Sequence, residues 1–504
     1  MEFSILTRII FPLAAVLGIF HCGDAVRIIS PKEREAMENI QKQYFVHESH
    51  FNGTYLEFIP NALRFDLAAV LSFELRLKAI DAEGLKKIQQ QAIGEDNLNT
   101  MILNRNLTNL RGRTPFDAAL TTLDLSGNQI QQIDADAFSG LEKLVRLHLE
   151  ENHISHLADG VFTPTCNLKH LRLQSNNIDK VEAMWFPVNS SVEELFLSHN
   201  RISHLCERCF ENLSNLNNLH LAENHLQTLH EESFRGLTSL KYLILRRNII
   251  ESLPLDVFRG LTQLTHLELQ GNLIETIDPR TFRTNDKLSG LILSNNRLTC
   301  LHPDTLQHLR ALQNVDLNEN RLVEYNFGSI HTQTIRLTDN HLRELQFNPN
   351  TTHIKAENNQ IERILVPISF QLFDLQVGGN KIRDLSNITT ISTLQALYLS
   401  RNGITSLPED FRKLTRLTFL DLSYNNLTNL SFGSWRRNFT MASLNELRIN
   451  GNDFSHLQLD FLDFFPNLQF LYICENPWND TFLREFITQC SSRNISLIDS
   501  NCSY

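Results

Sequence analysis

The stretch LTTLDLSGNQI, at residues 120–130, decides the fold because its pattern returns at a fixed interval. Written as L-x-x-L-x-L-x-x-N-x-L, it begins every 24 residues from Leu120 to Leu264. The later copies are LVRLHLEENHI from Leu144, LKHLRLQSNNI from Leu168, VEELFLSHNRI from Val192, LNNLHLAENHL from Leu216, LKYLILRRNII from Leu240 and LTHLELQGNLI from Leu264. The alternation of leucine with polar residues predicts a short strand whose leucines share one face. One unit cannot bury that face alone, so the pattern predicts stacked units around a continuous core.

This pattern is the signature of leucine-rich repeats, in which each unit supplies one strand and a return segment. The predicted fold is therefore an α/β solenoid, a curved horseshoe with a parallel sheet on its concave side. Matching unit starts continue to Leu468, which gives about 16–17 repeats. From Leu312 to Leu394 the starts are only 19 to 22 residues apart. Shorter return segments narrow the outer wall, so we predict a flatter solenoid over residues 312–394.

The ninth position of the pattern is asparagine in one unit after another. The chain turns there, and its backbone N–H and C=O groups would be costly to bury without partners. An asparagine amide offers both a donor and an acceptor, so it can satisfy backbone groups of its own turn and of the adjacent turn. The predicted structural column comprises Asn128, Asn152, Asn176, Asn200, Asn224, Asn248, Asn272 and Asn296, continues through Asn320, Asn340, Asn359, Asn380, Asn402, Asn425, Asn452 and Asn476, and has Asn106 as an earlier member.

A column of phenylalanines recurs with the same period. It predicts an aromatic spine that fills the space between the strands and the outer wall. Its members are Phe138, Phe162, Phe186, Phe210, Phe234, Phe258 and Phe282, with Leu306 in the next place.

The remaining segments divide the chain into four parts. Residues 1–25 resemble a secretory signal peptide, with Arg8 before a short apolar run and small residues at Gly23–Ala25. Residues 26–97 are predicted to form an N-terminal cap without cysteines, and residues 98–478 the repeats. Residues 479–504 are predicted to form the C-terminal cap. A secreted, extracellular protein is therefore expected.

The cysteines are predicted to form disulfide bonds in that oxidising compartment. Cys206 and Cys209 share one return segment, where they form either a local disulfide or two surface thiols. In the cap we predict one bond, with Cys490 joined to either Cys474 or Cys502. Loss of Cys22 with the signal would leave seven cysteines, so a free thiol or a disulfide-linked dimer is expected.

Acceptor sequences for N-linked sugars are frequent, and in a secreted chain many of them are expected to carry glycan. The candidates are Asn52, Asn189, Asn212, Asn350, Asn387, Asn426, Asn429, Asn438, Asn479 and Asn494. Asn106 and Asn501 also lie in such sequences, but Asn106 is expected to be buried in the asparagine column and bare.

The outward side chains of the regular strands should line the concave face, where solenoids commonly bind partners. They form either a hydrated polar surface or a protein-binding patch rich in aromatic and arginine residues, the types that dominate binding energy. The candidate binding residues are Arg146, His148, His170, Arg172, Phe196, His220, Tyr242, Arg246, His266 and Glu268. Their histidines could make binding depend on pH.

Charge and motifs exclude several other functions. The formal net charge of −11 argues against a nucleic-acid ligand. No run after residue 25 is long and apolar enough to span a membrane. The chain has no nucleophile elbow, phosphate-binding loop or His-Glu-x-x-His motif, so we predict no catalytic residue, no metal ligand, no cofactor and no enzymatic activity.

The whole pattern resembles the secreted leucine-rich-repeat immune proteins of mosquitoes. The resemblance rests on the signal peptide, the long units followed by short ones (NVDLNENRL from Asn314, TIRLTDNHL from Thr334) and the AsnProTrp sequence at Asn476–Trp478. No heptad pattern occurs before Tyr504, so the chain is similar to a member without a coiled coil. The resemblance implies circulation in haemolymph and partners such as complement-like thioester proteins or other leucine-rich-repeat proteins.

Three functions are consistent with the sequence. The first is a recognition protein of insect innate immunity that binds a protein or a microbial surface. The second is an extracellular adhesion protein or one similar to a Toll-like receptor ectodomain. The third is an inhibitor that blocks an extracellular enzyme sterically.

Overall fold

The fold is described from a computed structural model that covers residues 100–102 (backbone only), 107–113, 116, 118–324, 332–430, 440–458 and 460–498. The predicted signal peptide and N-terminal cap lie outside these residues. So do the predicted glycosylation sites Asn52 and Asn438, the other acceptor asparagines Asn106 and Asn501, and Cys502.

Short parallel strands dominate the described chain. The strands are β1 Thr100–Ile102, β2 Asn109–Leu110, β3 Thr122–Asp124, β4 Gln132–Ile133, β5 Arg146–His148, β6 His170–Arg172, β7 Glu194–Phe196, β8 Asn218–His220, β9 Tyr242–Ile244, β10 His266–Glu268, β11 Gly290–Ile292, β12 Asn314–Asp316, β13 Thr334–Arg336, β14 Glu344–Gln346, β15 His353–Lys355, β16 Arg363–Leu365, β17 Asp374–Gln376, β18 Ala396–Tyr398, β19 Phe419–Asp421, β20 Glu446–Arg448, β21 Phe470–Tyr472 and β22 Ser496–Leu497. The α-helices are α1 Asp304–Gln307 and α2 Asp480–Ser492, and 3₁₀ turns lie at Ala183–Trp185, Ile388–Thr390, Glu409–Lys413 and Phe461–Phe464.

One sheet of 18 strands runs along the whole described solenoid. Each repeat places one strand beside the strand of the next repeat, in parallel and in register, as when Arg146 pairs with His170. In the three-residue strands whose side chains are described, the middle residue, such as Leu147, is buried while its two neighbours point to the opposite face of the sheet. Without β22, which belongs to the C-terminal cap, 17 repeat strands remain. The predicted parallel solenoid is confirmed.

The described asparagines of the ninth position form a column beneath the turns, buried from Asn128 to Asn452 and half-buried at Asn476. In Asn152, the side-chain Oδ1 accepts a hydrogen bond from Ile130 N of the preceding turn at 3.0 Å. Its Nδ2 donates to Leu149 O in its own turn at 3.1 Å and to Leu125 O in the preceding turn at 2.9 Å. The amide thus joins neighbouring turns through backbone groups that would otherwise be buried without partners.

The phenylalanine column lies buried behind the strands. Ring centroids of successive members are 6.2 Å apart for Phe138 and Phe162 and 5.9 Å apart for Phe258 and Phe282, and both pairs are stacked. Leu306, on α1, is buried in the next place. The predicted aromatic spine is confirmed for these pairs.

The short repeats have a different outer wall. Their return segments contain β14 and β16, which pair in parallel as a two-stranded sheet of their own. Strands on both walls have the same spacing of about 4.8 Å, so the geometric source of curvature is weakened here. The flattening over residues 312–394 stays a prediction that this arrangement supports.

The C-terminal end of the sheet is covered by α2, which begins where the Asn479 side chain accepts hydrogen bonds from the backbone of Thr481 and Phe482. Phe482 stacks between Trp478 and Phe486, with ring centroids 5.8 and 5.4 Å away. No described helix is both long and apolar enough to cross a membrane.

The predicted cysteine pairing is wrong for Cys490. Its thiol is free and fully buried on the inner face of α2, so it faces the core rather than another cysteine. Cys474 is disulfide-bonded. Cys206 and Cys209 form a local disulfide, which is one of the two predicted alternatives. Cys166 and Cys300 are free and exposed.

Candidate functional site

The ten candidate binding residues lie on one continuous strip of the sheet. Nine of them are on the six adjacent strands from β5 to β10, and Arg246 lies two residues after the end of β9. Because the strands pair in register, equivalent positions form rows across the sheet. We call this strip, made of Arg146, His148, His170, Arg172, Phe196, His220, Tyr242, Arg246, His266 and Glu268, the N-terminal patch.

Contacts between glutamates and basic side chains occupy the first strands of the N-terminal patch. His148 Nδ1 lies 3.2 Å from Glu150 Oε1, and Arg172 Nη1 lies 3.8 Å from the same oxygen. His170 Nδ1 lies 2.8 Å from Glu194 Oε2 on the next strand. Burial alone would raise the pKa of Glu150. The hydrogen bond from His148 and the charges of His148 and Arg172 outweigh burial and lower that pKa.

Aromatic rings occupy the centre. The Phe196 and His220 rings are 4.4 Å apart, and the guanidinium carbon of Arg172 lies 5.5 Å from the Phe196 centroid. Burial lowers the pKa of His220, although the nearby carboxylates of the patch partly oppose the shift. The surface therefore presents stacked aromatic rings beside an arginine, a composition typical of protein-binding sites.

A second ring pair adds an exposed anchor. Tyr242 and His266 stack with centroids 4.8 Å apart, and Tyr242 is 40% exposed. The pair has room because Gly290 follows on β11: a Cβ there would lie 2.9 Å from His266 Cδ2. A side chain at position 290 would displace the imidazole that orders Tyr242.

The N-terminal patch is balanced in charge and rich in histidine. Its strand segments contain six lysines and arginines, six glutamates and five histidines, counted over residues 145–151, 169–175, 193–199, 217–223, 241–247 and 265–271. The formal charge is therefore zero while the histidines are neutral, and it becomes positive in acid. The pH dependence of binding therefore stays a prediction.

The sequence analysis missed a second cluster of rings at the other end of the sheet. We call it the C-terminal patch, formed by Tyr398, Phe419, Arg448, Phe470 and Tyr472 on β18 to β21. The Tyr398 and Phe419 rings are 4.4 Å apart, and the Arg448 guanidinium carbon lies 5.0 and 4.7 Å from the Phe419 and Tyr472 centroids. These residues occupy the same outward positions as the N-terminal candidates, so the repeat pattern could have identified them.

Beside the C-terminal patch, Tyr424 is held flat by its surroundings. Its hydroxyl lies 3.1 Å from Glu475 Oε1, and the Arg401 guanidinium carbon lies 4.4 Å from its ring. The ring passes over Gly451, where a Cβ would lie 2.4 Å from Tyr424 Cδ1. Tyr424 is therefore a partly exposed ring whose position is fixed on three sides.

The other predicted sites remain predictions. Eight of the ten glycosylation candidates are described, and seven of these are exposed: Asn189, Asn350, Asn387, Asn426, Asn429, Asn479 and Asn494. Asn212 differs, because its half-buried amide nitrogen donates to the Ala183 and Phe186 carbonyl oxygens at 3.3 and 3.1 Å. In the described part of the chain, no three histidine, cysteine, aspartate or glutamate side chains are grouped so that they could hold a metal ion.

A family model described as "Leucine rich repeat" matches more than half of the chain. The matched segments are residues 96–154, 118–165, 166–226, 214–274, 262–322 and 370–427. Among curated proteins, lumican of Oryctolagus cuniculus is 33% identical over 157 residues, which are 30% of this chain and 74% of that one. Lumican of Rattus norvegicus is 30% identical over 125 residues, which are 24% of this chain and 35% of that protein. The match thus spans only about a third of the rat protein.

Solved structures show the same fold at lower identity. A leucine-rich-repeat protein of Leptospira interrogans superimposes with a TM-score of 0.56 at 23% identity, covering 84% of this chain and all of that one. The LRIM1/APL1C complex gives a TM-score of 0.51 at 21% identity, covering 69% of this chain and 64% of the matched chain.

Proposed function

Since this chain belongs to the leucine-rich-repeat family, we propose that it is a secreted, non-catalytic recognition protein that binds a protein partner through its N-terminal patch. The observation that carries the proposal is the ordered ring cluster of Phe196, His220, Tyr242 and His266. A polar surface that serves only for solubility gains nothing from exposed, stacked aromatic side chains.

The contacts explain how such a patch would bind. The rings are already fixed by stacking, so a partner that covers them loses little side-chain freedom on binding. The contacts of Glu150 with His148 and of Glu194 with His170 hold these polar side chains in place, so they would help to set the orientation of the partner. Tyr242, which is 40% exposed, would insert into a pocket of the partner.

We assign this binding to insect innate immunity, with a complement-like thioester protein, another leucine-rich-repeat protein or a microbial surface as partner. The resemblance in repeat lengths supports this role, and the LRIM1/APL1C complex provides an example of the same fold assembled with another chain. The exposed thiols of Cys166 and Cys300 are consistent with the proposed disulfide-linked dimer. The second candidate is an adhesion protein or one similar to a Toll-like receptor ectodomain, and the aromatic patch fits either role.

The test is affinity capture from haemolymph with the full-length secreted protein, without reducing agent, followed by mass spectrometry. We expect Phe196→Ala and Tyr242→Ala each to reduce the captured partner at least about tenfold. Val188→Ala is the control, because it removes a side chain that is 76% exposed and outside the patch. Equal capture by all four proteins would contradict binding through the N-terminal patch, and a partner whose abundance is unrelated to infection would favour the adhesion role.

A further inference from the structure

The C-terminal patch contains an arrangement in which a cation lies between a carboxylate and a tyrosine. Arg448 donates from Nε and Nη2 to Glu446 Oε1, at 2.8 and 2.7 Å. Its guanidinium lies over Tyr472 of the next strand. In register, Glu446 pairs with Phe470, and Tyr472 follows two residues later. The cation is thus held by a carboxylate on its own strand and by a ring on the following strand, and it also lies 5.0 Å from the Phe419 ring on the preceding strand. In the register of the earlier strands, His353 takes the place of Phe419.

The same carboxylate and tyrosine occur three strands earlier without the arginine. Asp374 pairs in register with Ala396, and Tyr398 follows two residues later. The position of Arg448 is taken by Gln376, whose Nε2 lies 3.0 and 3.3 Å from the two Asp374 carboxylate oxygens. The neutral Gln376 amide donates hydrogen bonds to Asp374 but carries no charge. The Asp374–Tyr398 pair therefore has no equivalent of the Arg448 cation.

The surroundings do not supply that cation either. Among the described residues, no basic group lies within the 4.0 Å ion-pair distance of Asp374. His353 and Lys355, on the neighbouring strand β15, act on its carboxylate only at longer range. Burial of this carboxyl raises its pKa, as expected for a carboxylate that has lost water without gaining a close opposite charge.

The wider surface favours a basic ligand. Its strand segments, residues 373–379, 395–401, 418–424, 445–451 and 469–475, carry four carboxylates and two arginines, a net charge of −2. The same segments contain no histidine. The surface around the C-terminal patch is therefore acidic and aromatic, in contrast to the balanced, histidine-rich surface around the N-terminal patch.

We propose that Asp374 and Tyr398 bind an arginine or lysine side chain from a partner protein segment that lies along the C-terminal concave surface. One face of Tyr398 packs against Phe419. The incoming cation lies on the β17 side of the ring and pairs with the Asp374 carboxylate, as Arg448 does with Tyr472 and Glu446. Arginine fits better than lysine, because its planar fork matches a carboxylate and stacks on a ring.

The decisive variant places a cationic side chain of the protein itself beside Asp374 and Tyr398. Gln376→Arg recreates the residue found at Arg448, so its guanidinium should pair with Asp374 and lie over Tyr398. Full-length wild-type protein is used to select from a random dodecapeptide phage library, and selected peptides are measured by fluorescence polarisation. We expect arginine- or lysine-containing peptides whose affinity falls at least about tenfold in Gln376→Arg and when the arginine is replaced by citrulline. The folding control is the melting temperature, which should not fall in Gln376→Arg.

Two further variants separate this site from general charge effects and from the N-terminal patch. Gln469→Arg adds the same charge directly before β21, away from Asp374. The affinity of this variant for the selected peptides should stay within about twofold of the wild-type value. Tyr242→Ala should leave it unchanged, so failure of the proposed partner binding and failure of this site can be told apart. Selection of neutral or acidic peptides, undiminished binding of the citrulline peptide, or no enrichment over Gln376→Arg would overturn the proposal. A wild-type dimer in light scattering that Gln376→Arg dissociates would also overturn it, by making a second copy the occupant.

Discussion

The Oδ1 atom of Asn200 accepts a hydrogen bond from the backbone nitrogen of Ile178, one turn earlier, at 2.9 Å. The Nδ2 atom of the same residue donates to Leu173 O and Leu197 O, each at 3.0 Å. One side chain therefore satisfies backbone groups of two turns in a region that water does not reach. The stability of each turn depends on its neighbour through this amide.

Asn200→Leu should destabilise the protein by about 2–4 kcal/mol. Leucine has the same branched shape as asparagine, with larger methyl groups in place of the amide atoms, and it leaves the Ile178 N–H and two carbonyl oxygens buried without partners. The measurement is chemical unfolding followed by circular dichroism. Asn177→Ala, which changes an asparagine outside the column, should shift the free energy of unfolding by less than about 0.5 kcal/mol. Equal shifts in the two variants would show that the column does not stabilise the fold.

Cys490 should resist alkylation in the native protein. Its thiol is buried on α2, and burial raises its pKa to about 11, so the reactive thiolate is suppressed. With iodoacetamide at pH 8, mass spectrometry of the monomeric protein should find Cys166 and Cys300 modified and Cys490 unmodified until denaturant is added. Rapid native modification of Cys490 would contradict its burial.

The same thiol predicts a loss of stability in alkali. A raised pKa means that the folded state holds its proton more tightly than the unfolded state. The contribution is complete below the ordinary value of 9.0 and is lost as pH rises towards 11. The wild-type protein should therefore lose more stability between pH 9 and 11 than Cys490→Ala does.

The repeats were predictable because each unit repeats the environment of the one before it. Leu147 and Asn152 have the same neighbours as Leu171 and Asn176, so one pattern fixes inward and outward positions for the whole sheet. No repeat constrains the state of the Cys490 thiol, which is free. It depends on which face of a single helix meets the core, and spacing between cysteines does not contain that information.

The candidate site was only partly predictable for a related reason. The repeat pattern places Phe196 and Tyr398 on the same outward face, but it does not show which outward residues touch. The contact of Phe196 with His220 depends on side-chain geometry across neighbouring strands. So does the contact of Gln376 with Asp374, where an arginine would form an ion pair. A search of every outward position, including those in the irregular repeats, would have found the residues but not their pairing.

His220 should make the fold sensitive to acid. Burial against Phe196 lowers its pKa, so the folded state binds a proton less readily than the unfolded state. The contribution of His220 to the free energy of unfolding is complete above the ordinary histidine pKa of 6.5 and is lost as pH falls below it. The groups that act on the ring are Glu194, Arg246 and Glu268.

The matched variant is His220→Phe, which keeps an aromatic ring beside Phe196 but cannot be protonated. Its melting temperature should fall less than that of the wild type between pH 7 and pH 5. Parallel curves for the two proteins would show that His220 does not carry this acid sensitivity.

Asp374 and Asp384 should respond to the same substitution with opposite signs. Burial raises the pKa of Asp374, whereas hydrogen bonds from Ser386 lower the pKa of Asp384. For Asp374 the stability contribution is complete below the ordinary value of 3.8 and is lost as pH rises through the folded-state pKa, so its carboxylate is unfavourable at pH 7. For Asp384 the contribution is present above 3.8 and is lost as pH falls.

Asp374→Asn should therefore raise the melting temperature at pH 7, and Asp384→Asn should lower it slightly. Because Asp374→Asn also removes the charge proposed to bind a cationic side chain, it should gain stability while losing peptide affinity, and a variant that lost both would point to a purely structural carboxylate.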